Sequence, residues 1–166
     1  NFFGTNPEYS RCDSGRGLLL IGTGGGKFQT ADAMESGIYI YGEQRACAVS
    51  DFNQDGRMDL VVGQNSEATK LYLNKQGTPG LRVKLNGTIQ NPDAIGSIVT
   101  ASNLTREVQS GSGYWALNST RLVFSQEKPI GDIHVTWPSG KRMSYSVPPN
   151  ARSVQLNRDG TLQHTK

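Results

Sequence analysis

From Leu81 to Leu156 the apolar residues come only in short, β-branched runs separated by turn residues. Leu81-Arg82-Val83-Lys84-Leu85 alternates apolar and polar side chains, the period of a strand with one face buried. Asn86-Gly87 follows it, a dipeptide that favours a hairpin turn. Ile98–Ala101, Glu107–Gln109, Leu122–Phe124, Ile133–Trp137, Ser144–Val147 and Ser153–Leu156 are further runs of strand length. No helical period joins them, so this half is expected to be an antiparallel β-sandwich or barrel. The longest continuous apolar run anywhere is Leu18-Leu19-Leu20-Ile21, far short of the roughly 20 residues that cross a membrane as a helix. No membrane span is expected.

The rest of the chain fits the same all-β class. Its 166 residues suffice for one medium domain or two small ones, and 20 glycines with 19% charged residues suit a strand-and-turn protein. The net charge of +3 is small and its lysines and arginines are scattered, which argues against nucleic acid as a partner. Residues 1–17 are turn-rich, with Phe2 and Phe3 at the start. Leu18 to Ile21 reads as a buried strand, and Gly22 to Phe28 as a tight turn into a second one. That glycine run matches neither a Walker loop nor a dinucleotide fingerprint, because Ile21, Lys27 and Phe28 stand where glycine or a hydroxyl is required. A short helical turn is expected near Ala31 to Met34, and a strand-like patch at Ile38 to Tyr41. Thr78-Pro79-Gly80 reads as a linker dividing residues 1–78 from residues 79–166.

Asp51-Phe52-Asn53-Gln54-Asp55-Gly56-Arg57-Met58-Asp59 is the chemically densest stretch. Side-chain oxygens fall at positions one, three, five and nine, with glycine at six. Calcium is a hard cation that takes six to eight oxygens. Asp51, Asn53, Asp55 and Asp59 offer side-chain ligands, and the Arg57 carbonyl falls where such a loop turns inward. The alternative is a metal-free Asx-rich turn. An EF-hand is a worse fit, since its bidentate Glu at position twelve is Val62 here and no helical period flanks the loop.

With Val49-Ser50 before it, Leu60-Val61-Val62-Gly63 after it and Leu71-Tyr72-Leu73-Asn74 beyond, this loop resembles an FG-GAP/VCBS repeat. The resemblance implies a propeller-blade-like unit and a calcium site on Asp51, Asn53, Asp55 and Asp59. Gly25-Gly26-Lys27-Phe28 resembles a degenerate copy that lacks its acidic residue, so one calcium site is expected. The interval of 52 residues between Leu18 and Lys70 suits one blade. Further on, Leu81-Arg82-Val83, Asn91 to Val99, Arg106 to Tyr114 and Val135-Thr136-Trp137-Pro138-Ser139-Gly140-Lys141 resemble the ASPIC/UnbV domain. That likeness spans nearly all of residues 80–160. It departs at Phe124-Ser125-Gln126-Glu127, where the family has F-G-L-G. The family has no established catalytic role, so the resemblance supplies no active site.

Three further signals bear on compartment. Cys12 and Cys47, the only cysteines, are expected to form a disulfide in an oxidising compartment, with two buried thiols as the alternative. N-x-S/T sequons at Asn86, Asn103 and Asn118 mark candidate glycosylation sites. A calcium loop of modest charge suits the millimolar calcium outside cells. The chain lacks an initiator methionine and a signal peptide and is expected to be a mature or trimmed product. An extracellular or cell-surface location follows.

His134 and His164 are the only imidazoles, and neither adjoins a recognisable nucleophile motif. His134 alternates with Ile133 and Val135 and is expected on a sheet surface; no enzyme activity is expected. Two roles remain. One blade cannot cover its own faces and edges, so the chain is expected to be a calcium-binding structural protomer. It would assemble with other copies by strand addition, with Phe2 and Phe3 in a donor segment. The other role is glycan or matrix binding on a platform drawn from Tyr114, Trp115, Trp137 and Tyr145, although Trp137 and Tyr114 are expected to be core residues.

Overall fold

The computed structural model describes residues 8, 15–125 and 129–165. In chain order these form β1 (Leu20–Gly24), β2 (Lys27–Thr30), the single-turn helix α1 (Ala33–Ser36), β3 (Glu43–Ser50), β4 (Asp59–Asn65) and β5 (Lys70–Tyr72). There follow β6 (Leu81–Asn86), β7 (Ile98–Ala101), β8 (Leu104–Glu107), β9 (Leu122–Phe124), β10 (Asp132–Thr136), β11 (Arg142–Ser146), β12 (Ser153–Asn157) and β13 (Leu162–Thr165). The chain divides into two compact units at Cys47/Ala48, Leu60/Val61 and Tyr72/Leu73. Residues 48–60, the acidic loop included, belong with the C-terminal half.

That second unit contains two four-stranded sheets, ordered β11-β10-β7-β8 and β13-β12-β6-β9. Both contribute to one apolar core. Alternation does the sorting: β6 buries Leu81, Val83 and Leu85 and turns Arg82 and Lys84 away. In the same way β10 buries Ile133 and Val135, and β12 buries Val154 and Leu156. Trp137, Phe124, Val99 and Tyr145 complete the filling. The arrangement is a sandwich of open sheets; neither closes into a barrel. Pairing is antiparallel with one exception, β6 with β12, which run parallel from Arg82 opposite Ser153 to Asn86 opposite Asn157. That register sets Val83 beside Val154 and Leu85 beside Leu156, so both strands bury the same face.

Several local expectations change. Asn86-Gly87 makes no hairpin. The Gly87 N–H instead donates to Pro92 O at 2.8 Å, and a Cβ on residue 87 would strike the Asn91 carbonyl. Glycine is needed there for close approach rather than for a turn. The strand expected at Glu107–Gln109 is shifted back to β8, leaving Val108 buried just past its end. His164 lies in β13 rather than in a polar tail.

In the first unit β1 and β2 pair as an antiparallel hairpin, with no other partner strand among the described residues. The expectation of a buried strand fails here, because every residue of both strands is exposed. Leu18 is 68% exposed, Ile21 55% and Phe28 67%. The helical turn forms where expected, its first turn capped by the Asp32 carboxylate, which accepts from Met34 N at 2.6 Å. Ile38–Tyr41 is not a strand, although Ile40 is buried. A third sheet has the order β3-β4-β5, and the boundary between the units falls inside β3 and inside β4. Phe2, Phe3 and Cys12 lie outside the described residues; Cys47 is exposed.

Candidate cation site

The acidic loop bridges the end of β3 at Ser50 and the start of β4 at Asp59. Its turn depends on Gly56, whose φ of +83° suits a residue without Cβ. The Gly56 carbonyl accepts from Gly80 N at 2.8 Å, which ties the loop to the segment entering β6. A side chain at residue 56 would also press on the Gly80 carbonyl at 2.9 Å.

The loop carboxylates hold their own backbone. Asp59, almost fully buried, accepts from Phe52 N at 2.9 Å through Oδ2 and from Asn74 N at 2.8 Å through Oδ1. Asn53 Oδ1 accepts from Asp55 N at 3.1 Å, and Asn53 Nδ2 donates to Asp55 Oδ2 at 2.9 Å. Asp55 also accepts from Arg57 N at 2.9 Å and pairs with Arg57 Nη1 at 3.1 Å. The Asn53 side-chain hydrogen bond, aided by Arg57, holds the Asp55 carboxyl below the usual carboxylate range despite some desolvation. The Arg57 side chain was not foreseen as part of the loop, since the expected contribution was its carbonyl.

Asp51 is different. Its Oδ2 accepts from Gly56 N at 3.0 Å and lies 2.9 Å from Arg82 Nε in an ion pair. Both partners are buried, with the Asp51 side chain 3% exposed and that of Arg82 12%. Gln54 Oε1 accepts from Arg82 Nη2 at 3.1 Å and keeps the guanidinium in place. Asp51 Oδ1, by contrast, is buried and meets no hydrogen-bond donor among the described residues. A carboxylate oxygen in that position costs free energy unless a proton donor or a cation compensates it. Asp51 also lines a polar hollow of about 260 Å³ with Ser50, Gln54, Asp93 and Ser119.

Among the described residues no three His, Cys, Asp or Glu side chains draw together as a metal cluster. The donor set still suits a hard cation in type, because every ligand candidate is an oxygen and one of them lacks a partner. Calcium binding would require Asp55 to give up its ion pair with Arg57. That exchange is feasible at a contact where both side chains are partly exposed.

The other candidate residues separate cleanly. Asn103 is exposed at the β7–β8 turn. Asn86 Nδ2 donates to Asn157 Oδ1 at 2.6 Å, so a glycan on that nitrogen would compete with a native bond, whereas Asn118 accepts from Val49 N at 2.9 Å through Oδ1 and its Nδ2 is not part of that bond. Asn86→Ala should cost about 1 kcal/mol in denaturant melts, whereas Asn103→Ala should stay within about 0.5 kcal/mol. His134 is exposed as expected. The sheet register also brings its Nδ1 to 2.8 Å from Ser144 Oγ, a pairing that sequence spacing does not reveal. The described hydrogen bonds provide this pair with no carboxylate to orient the imidazole, as a nucleophilic triad requires. Of the aromatic platform, Trp137 and Tyr145 are core residues, and burial pushes the Tyr145 phenol above its usual range. Tyr114 and Trp115 are exposed, contrary to expectation for Tyr114.

Residues 87–163 match the family described as ASPIC and UnbV. The match begins just after β6, runs through β7 to β12 and ends within β13. The expected likeness to that domain therefore holds for this stretch. No curated protein matches the chain. The likeness of Val49 to Asn74 to an FG-GAP/VCBS repeat rests on the sequence alone.

Proposed function

We propose that this chain is a non-catalytic, calcium-binding structural module of the cell exterior. Loop 51–59 would act as a cation clip, and further copies of the chain would pair with its exposed strands. The observation that carries the reading is Asp51 Oδ1, a carboxylate oxygen buried without a donor at the first position of an oxygen-rich loop. Calcium there would satisfy that oxygen and draw in Asn53, Asp55, Asp59 and the Arg57 carbonyl, stiffening the β3–β4 connection. Its contribution would be to stability by mass action, since the unfolded chain has no cage. The apolar strands of the first unit support the assembly half of the reading, because exposed edges with apolar faces are templates for strand addition.

Calorimetric melts with and without millimolar calcium test the clip. Asp55→Ala removes loop hydrogen bonds in either condition and should therefore lower the melting temperature in both, but by on the order of 5 °C more in calcium than in chelator. An equal loss in both conditions would contradict cation binding. Light scattering of the full chain in calcium tests assembly. A strictly monomeric protein, unaltered by deletion of residues 1–10, removes that half of the proposal.

A further inference from the structure

The turn Gly113-Tyr114-Trp115-Ala116 has no part in the core or in the acidic loop. It is closed by a bridge between Gly113 and Ala116, with Ala116 N 3.5 Å from Gly113 O. The two central positions of such a turn ordinarily hold Gly, Asn or Asp. Here they hold two large aromatics, 65% and 83% exposed. Trp115 adopts φ +52°, a left-handed conformation that costs a bulky residue free energy. The two rings stack with centroids 5.6 Å apart and planes only 12° from parallel. Their outer faces are left to solvent, an arrangement that folding alone does not favour.

The turn stands on a fixed base. Asn118 N donates to Ser112 Oγ at 2.8 Å, and Val49 N donates to Asn118 Oδ1 at 2.9 Å. Ser119 N donates to Val49 O at 3.0 Å. At that base is a hollow of about 260 Å³ whose lining includes Arg106, Glu107, Gln109 and Ser112. Gln109 Nε2 donates to Glu107 Oε2 at 3.3 Å, so the two planar polar groups are held side by side. The hollow falls just below the roughly 300–1,000 Å³ of drug-sized ligand sites.

We infer that the Tyr114–Trp115 turn and the hollow at its base, part polar and part lined by Met58 and Leu122, form a carbohydrate-binding site. A pyranose presents an apolar C–H face, which packs on an aromatic ring, and a rim of hydroxyls. Those hydroxyls pair with planar groups such as the amide of Gln109, the carboxylate of Glu107 and the guanidinium of Arg106. A membrane surface is the competing partner for an exposed Trp. It favours a broad apolar face edged by cations alone, whereas Arg106 and Arg121 here are interspersed with the Glu107 carboxylate, the Gln109 amide and the Ser112 hydroxyl. The inference is independent of calcium and of self-assembly.

The two tryptophans make the test direct, because Trp137 is buried and only Trp115 is exposed to a ligand. Titrating the full chain with cellohexaose, chitohexaose and a galacto-oligosaccharide should give a saturable blue shift of indole emission with at least one of them. The shift should persist in chelator and in Trp137→Phe. Measured by isothermal titration calorimetry, which needs no indole reporter, Trp115→Ala should weaken binding at least about tenfold, as expected for loss of a stacked ring. Trp115→Gly should weaken binding as much while keeping or raising the melting temperature, since glycine relieves the positive φ. Glu107→Gln with Gln109→Ala should weaken binding while leaving the fold intact. Absence of a saturable response to all three saccharides at 10-millimolar order, or its retention in both Trp115 variants, would overturn the inference. So would a blue shift given by phosphatidylcholine vesicles and by none of the sugars.

Discussion

Arg82→Met should lose about 3–5 kcal/mol of stability in chelator and regain most of it in millimolar calcium. The loss follows from burial. Arg82 and Asp51 face each other at 2.9 Å with little solvent between them, and removing one partner strands the other's charge. Stranded buried charges cost that much, a large share of the roughly 5–15 kcal/mol that holds a domain together. Methionine keeps the aliphatic stem of Arg82, so packing changes little and the effect reports charge. The recovery follows from the proposed clip, because a cation bound at Asp51 would neutralise the carboxylate that Arg82 no longer faces. Denaturant unfolding in chelator and in calcium measures both terms. A loss of the same size in the two conditions would mean that no cation reaches Asp51.

Trp137→Ala should destabilise the second unit by about 3–5 kcal/mol, the range for emptying a buried aromatic site. Trp137 follows β10 and is 1% exposed, packed with residues of both sheets in one core. Trp137→Phe should cost clearly less. Its ring refills part of the volume that alanine would leave empty. Circular dichroism melts of the two variants rank them; equal losses would show that ring volume is not what the site depends on.

Most of the sandwich was legible because it depends on local alternation. Leu81–Leu85, Ile133–Trp137 and Ser153–Leu156 each carry a period of two, and each buries the expected face. Where long-range pairing decides, the sequence was silent. Nothing in Leu81–Asn86 announces a parallel partner some seventy residues later, and nothing in Ser144 announces His134 across the ladder. The run Leu18–Ile21 misled for the complementary reason. Hydrophobicity marks a strand that gains from burial, but burial also needs a covering layer, and β1 has only β2 beside it among the described residues. Tyr114 was misassigned because an aromatic within a strand-rich region ordinarily fills the core; only the closure of the Gly113–Ala116 turn turns it outward.

By itself, the sequence determined the class of the fold, the oxygen-rich character of loop 51–59 and the likeness of residues 87–163 to ASPIC and UnbV. Those properties reside in side-chain chemistry and in spacings of a few residues, which a chain carries whether or not it is folded. The tertiary structure alone decided that the loop groups with the C-terminal sandwich and that Arg82 pairs with one oxygen of Asp51. It also decided that one carboxylate oxygen is left without a donor. Those facts depend on groups far apart in sequence meeting in a space that excludes water, where an unpaired charge becomes costly.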